Sequence, residues 1–341
     1  GYARAVYTVV VCYKYSHEKK YYIIMPSPAP VVRFIHIAVQ QSNSMKLAQL
    51  LHNPGAGEED HSKKELIALI EETLDVECRY FSTKEKDWKD IEPGIDLLVI
   101  AGGDGTIRKV SRELLNRKRI ERQVPIAILP LGTANNIAKT LNITGEVKDI
   151  IKCWRKKSIK RFDIGGIEGI VDQQFFLEGF GYGLFPSLIK AMRGPDKELK
   201  KNPEEKMQRA IEELEEIILN KKPFSCSVEI DGVDHSGNYI LIEVMNTASI
   251  GPNLRLAPDA NPGDGKIELV LLTESHRDQL LNQVRRPDAN DTTAFPAYKG
   301  FSIHLHCEET NLHIDDELVK IKEAGPIHIE AQTGMLDFLV P

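Results

Sequence analysis

Leu97-Leu98-Val99-Ile100-Ala101 is an unbroken apolar run that ends in Gly102-Gly103-Asp104-Gly105-Thr106, and the amphipathic stretch Ile107 to Leu115 follows at once. Such a run reads as a strand covered on both faces, and the pattern as a whole as strand, tight turn and helix. The same rhythm begins earlier, with a strand over Leu47 to His52 that enters the turn Asn53-Pro54-Gly55-Ala56-Gly57. A helix over Lys63 to Leu74 turns Leu66, Leu69, Ile70 and Thr73 to one side, and a second strand follows over Val76 to Phe81. Val124 to Leu129 is a further strand, ending in Pro130-Leu131-Gly132-Thr133-Ala134-Asn135-Asn136 before the helical Ile137 to Leu141. Strands alternating with helices predict a doubly wound α/β sheet, which binds ligands beyond the carboxyl ends of its strands.

After about residue 160 the pattern becomes short strands separated by Gly and Asp turns: Phe162 to Gly165, Gln174 to Gly183, Phe224 to Ile230 and Asn238 to Met245. This predicts an antiparallel β-sandwich. Between these strands Asp196 to Lys222 reads as a charged helix with Met207, Ile211, Leu214 and Ile218 on one stripe, either a lid or membrane-facing helix or a solvated helix packed on the sandwich by that stripe. A helix around Asp278 to Val284 precedes the closing strands Gly300 to Cys307, Asn311 to Ile314 and Ile327 to Val340, the last with a turn at Gly334.

The expected organisation is an extension over 1–44, an α/β domain over 45–160 completed by 326–341, and a β-sandwich over 161–325. The extension carries strand-like patches at Ala5 to Tyr13, Tyr21 to Met25 and Val31 to Val39 interrupted by prolines, and Met45 is a candidate start of the natural chain.

Composition narrows the function classes. The 341 residues are 42% hydrophobic and 28% charged, an ordinary globular balance, and a net charge of −6 argues against nucleic-acid binding. No run reaches the roughly 20 apolar residues that span a bilayer, so membrane contact is expected to be peripheral. Local basic groups, Lys156-Lys157 with Lys160-Arg161, Lys200-Lys201 and Arg285-Arg286, are candidates for anionic head groups or plain solvated charge. Cys12, Cys78, Cys153, Cys226 and Cys307 show no metal spacing and are expected to be reduced thiols of a cytoplasmic protein.

The chemistry gathers at the turns. Glycines let a bulky anion approach main-chain N–H groups at the positive end of a helix, so Gly102 to Thr106 is a candidate phosphate cradle. It is neither a Walker loop nor a dinucleotide fingerprint, and Asp104 within it fits a cation or an orienting hydrogen bond, or simply a helix cap. Thr133 and Asn135 offer polar side chains on the same sheet edge, as do Asn53 and Thr83. The loop Asp259-Ala260-Asn261-Pro262-Gly263-Asp264-Gly265-Lys266 suits either a hard cation or an Asp-Gly turn.

Gly102-Gly103-Asp104-Gly105-Thr106 followed by Pro130-Leu131-Gly132-Thr133-Ala134-Asn135 resembles the diacylglycerol kinase catalytic-domain superfamily, with its bacterial lipid kinases and the sphingosine and ceramide kinases. The resemblance runs from about Met45 to Pro341. It implies an ATP- and Mg²⁺-dependent lipid kinase of phospholipid metabolism, cytoplasmic and peripheral to the membrane; the exposed edge strands of the expected sandwich would separately allow a homodimer. It also implies that Gly102, Gly103, Asp104, Gly105, Thr106, Thr133 and Asn135 bind the nucleotide, with Asn53 and Thr83 beside them. By the same match Asp264 would ligate a structural Mg²⁺ with Asn261 and Lys266 in its loop, Asp315 would be the general base with Asp104 as the second catalytic carboxylate, and Glu317, the matching glutamate, would join the nucleotide site. Asp316 departs from the usual Asp-Gly-Glu, so a non-glycine residue would meet the turn's positive φ, and Asn136 stands where many relatives have Asp. Phe176, Phe180, Leu184 and Phe185 are apolar candidates for an acyl pocket or for core. NAD kinase, which shares the first turn, and a non-catalytic relative are the alternatives.

Overall fold

In a computed structural model, residues 8–12, 20–24, 45–56, 62–117, 124–170, 174–193, 203–286 and 294–341 are described. Two compact units divide the chain, Gly1–Ser44 and Met45–Pro341. In the first, strands β1 (Thr8–Cys12) and β2 (Lys20–Ile24) pair antiparallel, Thr8 opposite Ile24. The expected strand over 31–39 lies outside the described residues, as do Lys200 and Lys201.

The second unit begins with β3 (Leu47–His52), α1 (Lys63–Leu74), β4 (Glu77–Ser82), β5 (Leu97–Gly102), α2 (Asp104–Leu115), β6 (Ile126–Pro130), α3 (Asn136–Thr140) and α4 (Val147–Cys153). Every residue of β5 is buried, as its apolar run requires. The α1 boundaries follow from local chemistry: Ser62 and Glu65 form a reciprocal capping box, and Asp75 closes the helix in the left-handed region at φ 58°. β4, β3, β5 and β6 pair parallel in that order.

The chain continues through β7 (Ile159–Glu168), β8 (Gln174–Phe176), β9 (Gly179–Tyr182), α5 (Leu184–Met192) and α6 (Pro203–Asn220). Then come β10 (Phe224–Ile230), β11 (Val233–Asp234), β12 (Gly237–Tyr239), β13 (Leu241–Met245), β14 (Ile267–Leu272) and α7 (Arg277–Arg285). β15 (Ala297–Gly300), β16 (Ser302–Cys307), β17 (Asn311–Ile314), β18 (Glu317–Lys320) and β19 (Ile327–Leu339) close it.

β19 joins the two halves. Its first part pairs antiparallel with β16 and its end pairs parallel with β6, so the α/β sheet runs on into an eleven-stranded sheet. The turn expected at Gly334 is instead a bulge within one strand, where register against β7 slips between Gln332 and Leu336 and Gly334 takes φ 58°. Buried Asp163 fastens it: one carboxylate oxygen accepts from Gly334 N–H at 2.7 Å and the other from Gly265 N–H at 2.7 Å.

A six-stranded antiparallel sheet, β15-β14-β13-β9-β17-β18, packs on β10, β16 and β19 through Phe180, Tyr182, Val244, Leu269, Ile303 and Ile329. Its other side, Leu241, Met245 and Leu272, meets Leu188 of α5, Leu214 and Ile218 of α6 and Leu280 of α7. The charged helix therefore packs by its apolar stripe. β10 and β16 also correct the thiol expectation: Cys226 lies directly opposite Cys307 and the two form a disulfide, while Cys78 and Cys153 are free.

Candidate active site

A cleft of about 610 Å³ lies between the carboxyl ends of β3, β5 and β6 and the β17–β18 hairpin. Asn53, Thr83, Gly103, Asp104, Gly105, Thr106, Thr133, Asp315 and Asp316 all line it. The two glycine turns touch there. A Cβ built on Gly132 would stand 2.3 Å from Gly103 Cα, so neither turn has room for a side chain at that contact.

Polar side chains set the shape of both turns. Asn53 Nδ2 donates to Thr106 Oγ1 at 3.1 Å. Asn135, left-handed at φ 53°, accepts from Gly132 N–H at 2.9 Å and donates to the carbonyls of Pro130 and Gly132 at 3.1 and 2.7 Å. Asp104 caps not its own helix but α3, one oxygen accepting from Asn136 N–H at 2.9 Å and the other from Ile137 N–H at 3.0 Å. Burial raises the Asp104 pKa, and those two N–H groups pull it back. Gly102 faces inward, against Thr106, and its carbonyl accepts from Leu131 N–H at 3.1 Å. Lysines frame the opening: Lys109 Nζ donates to Thr83 O at 2.9 Å, and Lys84 and Lys206 line the wall.

Asp315 lies across the cleft at the start of the hairpin turn, and it is Asp315, not Asp316, that takes the positive φ, 52°. The substitution of Gly by Asp at 316 therefore carries no left-handed strain. Leu177, Glu178 and Gly179 N–H groups donate to the Asp315 carboxylate at 3.1, 2.8 and 3.2 Å. Behind it, His313 Nδ1 donates to Asp315 O at 2.9 Å and His313 Nε2 meets Glu243 Oε2 at 2.9 Å. Burial raises the Asp315 pKa, opposed by Arg108 and by those N–H groups.

Arg108 had no signal in the sequence beyond a polar position on an amphipathic helix. Its guanidinium, 4% exposed, places Nε 2.8 Å from Asp315 Oδ2 and Nη1 2.9 Å from Glu317 Oε1. These are ion pairs by proximity, without the alignment of hydrogen bonds. Glu317 thus sits on Arg108 rather than in the cleft lining. Glu178, also unanticipated, is a buried residue of the cleft lining, and burial with Asp104 and Asp315 nearby raises its pKa well above the ordinary glutamate value. Asn136 Nδ2 donates to Glu178 Oε1 and to Gly251 O, both at 3.3 Å. An aspartate at 136 would set a second carboxylate against Glu178.

Of the four apolar candidates only Phe185 reaches the cleft, beside Leu188, Ile189 and Ile250; Phe176, Phe180 and Leu184 are core. At the loop expected to bind a structural Mg²⁺, the acids meet a lysine. Asp264 Oδ2 is 2.7 Å from Lys299 Nζ, which also lies 2.9 Å from Glu268 Oε1. Lys266 Nζ stands over the Phe301 ring, and the Asn261 carbonyl closes the turn to Gly263. An ammonium already neutralises these acids, and among the described residues no group of three or more metal-ligating side chains comes together.

The diacylglycerol kinase catalytic domain family matches residues 48–167, and the YegS C-terminal NAD kinase beta sandwich-like domain matches residues 199–300. The chain thus joins a diacylglycerol kinase catalytic domain to a YegS-type C-terminal domain. Among its relatives, a diacylglycerol kinase of Bacillus subtilis (strain 168) is 28% identical over 254 residues, 68% of this chain and 75% of that one. A candidate lipid kinase of Staphylococcus aureus (strain MRSA252) is 26% identical over 256 residues, 74% of this chain and 79% of that one. A solved structure of a candidate diacylglycerol kinase from Bacillus anthracis (strain Sterne) shares the fold with a TM-score of 0.69 at 21% identity, over 89% of this chain and 98% of that one.

Proposed function

We propose that this chain transfers the γ-phosphate of ATP to the hydroxyl of a lipid such as diacylglycerol, at a membrane surface. The observation that carries the reading is the joining of two touching glycine turns, a carboxylate across from them and an apolar end in one cleft. Main-chain N–H groups at the start of α2 would hold the phosphates, with Thr106 and Thr133 at their sides and Asn53 and Thr83 at the nucleotide edge. Asp104 ties the first turn to the start of α3, and Asn135 holds the shape of the second. Phe185, Leu188, Ile189 and Ile250 would meet the acyl chain beside the reacting hydroxyl.

Asp315 takes the proton of the attacking hydroxyl as the O–P bond forms and ADP leaves. Mg²⁺, when bound, neutralises charge on the triphosphate oxygens. Its ligands would come from the carboxylates of this cleft. No helix among the described residues is long and apolar enough to cross a membrane. Ile159, 48% exposed and followed by Lys160 and Arg161, offers a surface contact for anionic lipid.

Asp315→Asn tests the assignment. It should abolish transfer to lipid while leaving ATP affinity nearly intact, and a fully active variant would remove Asp315 from the proton step.

A further inference from the structure

Four carboxylates line the cleft, and three of them are committed. Asp104 gives both oxygens to the N–H groups that begin α3. Asp315 accepts from Leu177, Glu178 and Gly179 and pairs with Arg108. Glu178 is buried, and its Oε1 accepts from the Asn136 amide at 3.3 Å. Asp316 is different: its side chain is 66% exposed, and its nearest cation, Arg108 Nη1, is 3.6 Å from Oδ1 while Asp315 and Glu317 hold that guanidinium more closely. The other oxygen, Oδ2, would lie 2.9 Å from a Cβ on Gly105. It therefore rests against the first turn of α2, at the end of the helix where the phosphates belong.

We infer that Asp316 is a ligand of the divalent cation that accompanies the nucleotide. The inference rests on the kinase reading above and deepens it. A carboxylate and a phosphate at one helix start repel each other, and a hard cation that takes oxygens from both turns that repulsion into attraction. Glycine, the usual residue at this place in the resemblance, supplies no such oxygen, so this dependence would be a property of this chain. Since Asp316 is the loosest of the three acids around Arg108, it can turn to a cation without opening the Arg108 pairs with Asp315 and Glu317.

The test is calorimetric binding of the imido analogue of ATP to the full chain and to Asp316→Asn and Asp316→Gly, each in Mg²⁺ and in EDTA. In the wild type Mg²⁺ should tighten binding. In both variants that gain should shrink at least about tenfold, because losing an outer-shell partner alone weakens metal binding about 10- to 100-fold. Affinity in EDTA should be unchanged or tighter, since a negative charge has left the phosphate site. An equal Mg²⁺ gain in all three proteins overturns the inference. So does tighter binding of the variants by the same factor in Mg²⁺ and in EDTA, which would make Asp316 a repulsive neighbour only. If the wild type binds no analogue, the kinase reading fails and the inference falls with it; wild-type binding with an unchanged Mg²⁺ gain in the variants defeats the inference alone.

Discussion

Replacing Arg108 by Met removes the buried charged strut between α2 and the hairpin that carries Asp315, and leaves only the exposed Arg112–Glu317 pair, at 3.5 Å, among the described ion pairs that join them. Arg108 and Asp315 are nearly sealed from water, at 4% and 2% side-chain exposure. Removing one member of a buried ion pair typically costs about 3–5 kcal/mol, because the other charge is left unpaired. Asp315 keeps its three main-chain donors, so the lower end, about 3 kcal/mol, is expected near neutral pH. The cost must depend on pH. The folded pKa of Asp315 is already raised by burial, so the stability from this group is full at low pH and falls as pH rises from the ordinary carboxylate value to the folded one. Without Arg108 the folded value rises further and the loss extends to higher pH. Urea unfolding of wild type and Arg108→Met should therefore differ most near neutrality, and the difference should shrink as Asp315 protonates in acid. A difference below about 1 kcal/mol at neutral pH, the value for an exposed pair, would refute the reasoning. So would one independent of pH.

Other outcomes follow from the turns. Gly132→Ala pushes a methyl group against the main chain of Gly103 and should weaken nucleotide binding and cost about 1–3 kcal/mol of stability. Gly325→Ala, with open space around it, should do neither, and the pair can be compared by nucleotide titration and urea midpoint. Asp104→Asn leaves one of the two α3 N–H groups without an acceptor, so a loss of about 1–3 kcal/mol and weaker nucleotide binding are expected. Unchanged binding by Asp104→Asn would show that the two turns hold their spacing without it.

Much of this architecture was legible where chemistry is local. The β5 run, the limits of α1 and the glycine turns follow from patterns within a few residues. What stayed hidden depends on partners distant in sequence. Gly334 reads as a turn until Asp163 is seen holding its N–H inside β19. The apolar stretch Leu184 to Met192, with Pro186 in its first turn, did not announce α5. Cys226 and Cys307 meet only through the register of β10 and β16, 81 residues apart. Arg108 looks like an exposed helical position, and only the hairpin's three acids explain its burial. Positive φ fell on Asp315 rather than Asp316 because Gly179 O and the His313 ring hold both sides of that peptide.

The most direct measurement is transfer of labelled γ-phosphate from ATP and Mg²⁺ to a mixed lipid extract, with a parallel reaction containing NAD. Label in the organic-soluble fraction, at the mobility of a phosphorylated lipid, is the predicted result. Label on NAD alone, or on neither acceptor, would contradict it.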